Sequence, residues 1–135
     1  MIITEQVRNE ALIHDFEADT DRSAPFHHAD HVRLAFAYVC QYPALEAIGR
    51  FSAALKRYAI ARGKTQLYHE TVTWAFLFLI RERMERSQST TWDEFAQHNP
   101  DLLRWKGGIL DGYYRKETLD SELARKVFVL PDKSL

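Results

Sequence analysis

Three histidines and an aspartate fall within five positions of "PFHHADHVRLAF", residues 25–36. If a helix begins near His27, then His27 and His31 are four residues apart and His28 and His31 three apart. Either pair then lies on one helix face with Cβ atoms about 5–6 Å apart, close enough for two imidazoles to reach one metal ion. His31 belongs to both pairs and is the first ligand candidate; His27 is the spare. Asp30 is placed to orient an imidazole from behind, as carboxylates beside metal-bound histidines do.

Two histidines do not complete a metal centre, which needs a third or fourth ligand. The stretch "LYHETVT", residues 67–73, offers His69 and Glu70 at the start of an apolar run. A carboxylate entering a core must be paired, hydrogen-bonded or metal-bound, because bare burial is costly. Arg33 is one partner for Glu70; a metal shared with His28 and His31 is another. The expected site therefore has His28, His31 and His69 as metal ligands. Glu70 is a fourth ligand or a general base, and Tyr68 lines the site and donates a hydrogen bond to substrate. A nitrogen and oxygen donor set suits a divalent metal such as Zn, Fe, Mn or Ni. The natural reactions are metal-assisted hydrolysis or non-haem oxidation. Two other readings stand beside this one. The first is a metal-free acid–base site, with a histidine as base and a carboxylate orienting it. The second is a non-enzymatic helical module whose histidines and Glu70 form a structural hydrogen-bond network.

Several chemistries are excluded by their motifs. Glu70 follows a single histidine with no second histidine four residues on, so HExxH is absent. Neither "KGG" nor "LDG" makes a phosphate loop, and no Gly-x-Ser-x-Gly turn occurs. The single cysteine, Cys40, forbids an intramolecular disulfide and reads as a buried core residue. His14 and His98 stand alone and read as surface or capping residues. Trp74, Trp92 and Trp105 read as core packing, as do Tyr113 and Tyr114.

The elements that must position these residues read as helices. After Pro25, a first long helix is expected from His27 to Gln41, with Asp30 in its first turn and Pro43 beyond its end. A second runs from Ala44 to Arg62, with Leu45, Ile48, Leu55 and Ala59 as its apolar stripe and Phe51, Ser52 and Tyr58 beside it. Gly63 stops it. A third covers Gln66 to Arg86; its middle, "TVTWAFLFLI", is apolar on every side and marks a buried central helix. A short helix lies in "SQSTTWDEFAQHNP", capped by Thr90 or Thr91. A helical turn and a loop at Gly107 and Gly108 follow. A last short helix is capped by Asp120 or Ser121, and an apolar tail, Phe128 to Leu130, packs back on the bundle. In residues 1–24, Val7, Leu12 and Phe16 mark either a helix turn or separate anchor points. The fold class is all-α: one domain over residues 1–135, a compact bundle of about five helices.

Composition sets the remaining bounds. The 135 residues carry 18 Lys and Arg against 19 Asp and Glu, so no strong pull on nucleic acid or anionic lipid is expected. Arg81, Arg83 and Arg86 alternate with Glu82 and Glu85, which reads as a solvated helix face. The longest apolar run, "VTWAFLFLI", has nine residues, too few to span a bilayer, and the N-terminus lacks signal-peptide character. A cytoplasmic protein is expected, with no nucleic-acid or membrane partner. A small-molecule ligand fits this reading, and the aromatic content leaves a homodimer open.

The pieces "FHHADHVRLAF", "YHETVT" and "ELARKVFVLPD" together resemble a family of small, uncharacterised bacterial all-helical proteins. The likeness rests on His28–Ala35, Tyr68–Thr73 and Ala124–Asp132 and covers most of the chain after Ala11. The family has no assigned reaction. The resemblance implies only that His28, His31, Tyr68, His69 and Glu70 belong together.

Overall fold

The computed structural model describes residues 4–18, 26–105 and 108–133. Pro25, Gly107 and the ends of the N-terminal segment and C-terminal tail lie outside the described residues. Among those described there are seven α-helices and no strand: α1 (Glu5–Ala18), α2 (His28–Gln41), α3 (Ala44–Ala61), α4 (Glu70–Ser87), α5 (Trp92–His98), α6 (Lys116–Leu119) and α7 (Glu122–Lys126). Single 3₁₀ turns occupy Thr65–Leu67, Pro100–Leu103 and Ile109–Gly112. No described helix is long and apolar enough to cross a membrane.

The N-terminal segment forms a full helix rather than scattered anchors. Its buried positions are Asn9 and Ile13, with Phe16 packed on the core, a 4–3 spacing that makes one face. Val7 and Leu12 point outward, at 50% and 38% exposure. Asn9 is buried because its side-chain oxygen accepts a 2.9 Å hydrogen bond from Arg33. Arg33 also approaches Glu5 at 3.8 Å and lies over the Phe36 and Trp92 rings. Arg33 therefore joins α2 to α1, and the pairing with Glu70 expected from the sequence does not form.

α2 packs against α1, α3, α4 and the Pro100–Leu103 turn. Every residue from Leu34 to Tyr38 is buried, so α2 shares the central position with the apolar half of α4. In α3 the buried stripe is Ala47, Ile48, Phe51, Ser52, Ala54, Leu55 and Ala59. Leu45, expected in that stripe, is 87% exposed in the first turn of α3. Gly63 follows α3 with φ +64, a conformation that favours glycine and ends the helix.

α4 begins at Glu70 instead of Gln66. Residues 65–67 make a 3₁₀ turn, and Tyr68 and His69 are extended. Thr91 caps α5 by accepting the Glu94 N–H at 3.2 Å, and Ser121 caps α7 by accepting the Ala124 N–H at 3.1 Å. The last short helix expected after Asp120 or Ser121 is α7, capped by Ser121; α6, just before it, was not expected. Arg83 leaves the solvated face expected for it: its guanidinium holds both oxygens of Asp101 at 2.9 and 3.1 Å and the Asn99 side chain at 2.8 Å. Trp74 and Trp92 pack on the core as expected, whereas Trp105 is 63% exposed. Cys40, expected in the core, is exposed near the C-terminal end of α2.

The tail returns to the bundle through Phe128, whose ring stacks on Trp74 at 5.5 Å, and through Val129. Thr71, fully buried, organises this junction. Its hydroxyl lies 2.8 Å from the Ala124 carbonyl and 2.9 Å from the Val127 carbonyl, and accepts the Val129 N–H at 3.1 Å. Thr71→Val keeps the shape and strands these backbone groups. Urea denaturation should show a loss of about 2–3 kcal/mol; a midpoint unchanged from wild type would mean that the hydroxyl does not hold the tail.

Candidate functional site

The two histidine-bearing helix starts do face one another, but around a cavity rather than around a metal. α2 and α4 begin, and α3 ends, at the same end of the bundle. Between them lies a cavity of about 910 Å³ whose lining includes His28, His31, Tyr68 and His69. Val32, Ala35, Phe51, Leu55, Ala59, Val72 and Phe76 form its apolar walls. Phe26 and Tyr58 close one side, with ring centroids 5.1 Å apart, and Phe16 stacks behind Tyr58 at 5.2 Å.

Among the described residues, no three His, Cys, Asp or Glu side chains come together so as to hold a metal ion. The metal-binding function expected from the sequence is therefore corrected, and the hydrogen bonds of the candidate residues give the reason. His69 is the N-cap of α4: its Nδ1 accepts the Val72 N–H at 3.1 Å, and its Nε2 donates to the Leu119 carbonyl at 2.7 Å. Both ring nitrogens are thus committed. His28 Nε2 donates to the Leu102 carbonyl at 2.9 Å, with the ring edge-on to Phe76 and beside Trp105. His27, the spare ligand, precedes α2. Its backbone N–H donates to Asp30 at 2.9 Å, so Asp30 serves the helix start instead of orienting an imidazole. Glu70 accepts the Tyr68 hydroxyl at 2.5 Å and lies 3.9 Å from Lys56.

His69 and Glu70 therefore hold separate sets of partners, although they are adjacent in sequence. Tyr68 keeps its expected place on the wall but donates its hydroxyl hydrogen bond to Glu70. Burial, followed by that hydrogen bond to a carboxylate, raises the phenol's pKa. His69 has a lowered pKa, chiefly because burial disfavours the imidazolium.

His31 is the exception among the histidines. Its ring stacks on Phe26 at 4.1 Å and faces the cavity. Among the described residues no hydrogen bond engages its ring nitrogens. Burial, reinforced by the neighbouring His28, pushes its pKa down from 6.5 to about 4. At neutral pH His31 therefore presents an uncharged imidazole, with one donor and one acceptor nitrogen, to a mostly apolar space.

Sequence reasoning missed Tyr58, Arg62, Lys64 and Arg125, which also line the cavity. Tyr58 was visible only as a residue beside the α3 stripe. Arg125 lies on α7, and nothing in its local pattern brings it to α2 or α4. No family model matches the chain, and no curated protein or solved structure matches it either.

Proposed function

We propose that this protein binds a small, largely apolar molecule in the cavity between α2, α3 and α4. The carrying observation is the cavity itself: about 910 Å³, walled by aromatic and aliphatic side chains from three helices, with His31 turned into it. Ligand sites have this character: a concave apolar volume of several hundred cubic ångströms with a few convergent polar groups. The rings of Phe26 and Tyr58, backed by Phe16, give it an aromatic wall, and His31 supplies a hydrogen-bond donor and acceptor to fix orientation.

Titration with the neutral apolar fluorophore N-phenyl-1-naphthylamine tests the reading. One saturable site is expected, and saturating probe should raise the melting temperature, because binding to the folded state alone stabilises it. Two independent substitutions that fill the cavity, Ala59→Leu and Val72→Trp, should each abolish the fluorescence rise while retaining cooperative unfolding. Absence of saturable binding to the wild-type chain, or unchanged binding in both folded variants, would overturn the proposal.

A further inference from the structure

Resting on that reading, we infer that the ligand is an amphipathic anion: a carboxylic acid whose apolar body fills the cavity and whose carboxylate sits at the 62–67 side. The described lining residues include three cations, Arg62, Lys64 and Arg125, and no carboxylate. In a chain of 18 basic and 19 acidic residues, Lys64 and Arg125 make this described lining locally positive.

The cations gather on one side. Arg62 caps the C-terminal end of α3, with its guanidinium carbon 3.6 Å from the centre of the Tyr58 ring. Lys64 follows two residues later. Arg125 comes from α7 and donates to the Gln66 carbonyl, which fixes it beside the same turn. Among the described residues neither Lys64 nor Arg125 has a carboxylate within ion-pair distance. Among the described acids nearby, Glu70 pairs with Lys56 at 3.9 Å and Asp120 with Lys116 at 2.7 Å, with Arg125 a weaker influence on Asp120.

Cations beside low-dielectric walls favour an anion more strongly than they would in open water. The apolar walls, in turn, would not retain a small hydrophilic anion. An apolar body with one carboxylate satisfies both. The uncharged His31 lines the same cavity from α2, where it meets the ligand body or a second polar group without adding charge.

Calorimetric titration of the full chain with octanoate, octan-1-ol and octyltrimethylammonium separates charge from apolar burial, since the three share one tail. Octanoate should bind at least about tenfold more tightly than the alcohol, and the cation should bind most weakly. Lys64→Glu, at an exposed position outside the core, should weaken octanoate by at least about fivefold, leave octan-1-ol nearly unchanged, and improve the cation. Equal affinity for all three would overturn the anion inference while leaving the cavity reading intact. Octanoate binding that ignores Lys64→Glu and is carried equally by the alcohol would do the same. Binding of none of the three, together with no binding of the neutral fluorophore, would overturn both.

Discussion

Replacing His69 with alanine should destabilise the fold by about 2–4 kcal/mol, read from urea denaturation at pH 7.5. The imidazole does two jobs at one point. Its Nδ1 satisfies the Val72 N–H in the first turn of α4, and loss of such a cap costs about 1 kcal/mol. Its Nε2–H satisfies the Leu119 carbonyl 50 residues away, and leaving a half-buried acceptor without a partner adds about 1–3 kcal/mol. His69→Asn separates the two. Asparagine retains a capping oxygen but is too short to reach Leu119, so about half of the loss should return. If alanine left the denaturation midpoint unmoved, the ring would be a bystander, and the account of why it is not a ligand would fail with it.

Mild acid should remove a comparable amount of stability through His31. Its folded-state pKa is lowered from 6.5 to about 4, so in the folded protein the ring stays neutral where the unfolded chain already binds a proton. The unfolded state therefore takes up more protons as pH falls below 6.5, and stability drops until the folded pKa is reached. Between pH 7.5 and 4.5 this one group should cost about 2–3 kcal/mol. His69, also lowered by burial, acts in the same direction, because protonating Nδ1 removes the acceptor that caps α4. His31→Leu should flatten the profile over that window by about the His31 share. Parallel profiles for wild type and His31→Leu would show that His31 does not face a dry environment. Below this window the decline has a different source: Asp101, whose pKa is lowered chiefly by its hydrogen bond to Arg83, loses that partner on protonation.

These results bear on how far the amino-acid pattern reaches. The helical class and the starts of α3, α5 and α7 are local matters. Pro43, Thr91 and Ser121 each act within about one turn of themselves, so their effects are legible in order along the chain. That "HHADH" and "YHET" are polar starts of helices that then become apolar was also legible; that they meet at one end of the bundle is a tertiary fact. The role of each histidine was not. Spacing alone gives His28, His31 and His69 equal claims on a metal. The difference between them comes from backbone carbonyls at Leu102 and Leu119, 74 and 50 residues away, whose positions depend on how the short C-terminal turns dock. Likewise Arg33 turns toward Asn9 and Glu5 because α1 is a helix lying beside α2, a fact only weakly signalled by residues 5–18.

The sequence by itself determined an all-helical chain, the order of its main helices and the polar character of two histidine-bearing helix starts, because periodicity, caps and prolines are read within a turn or two. Tertiary structure alone decided that His69 and His28 are spent on distant carbonyls, that His31 is left facing a cavity, and that Lys64 and Arg125 stand at one side of it. The physical reason is that a buried imidazole takes whichever hydrogen-bond partners the packed backbone offers first, and a volume between helices belongs to no one of them.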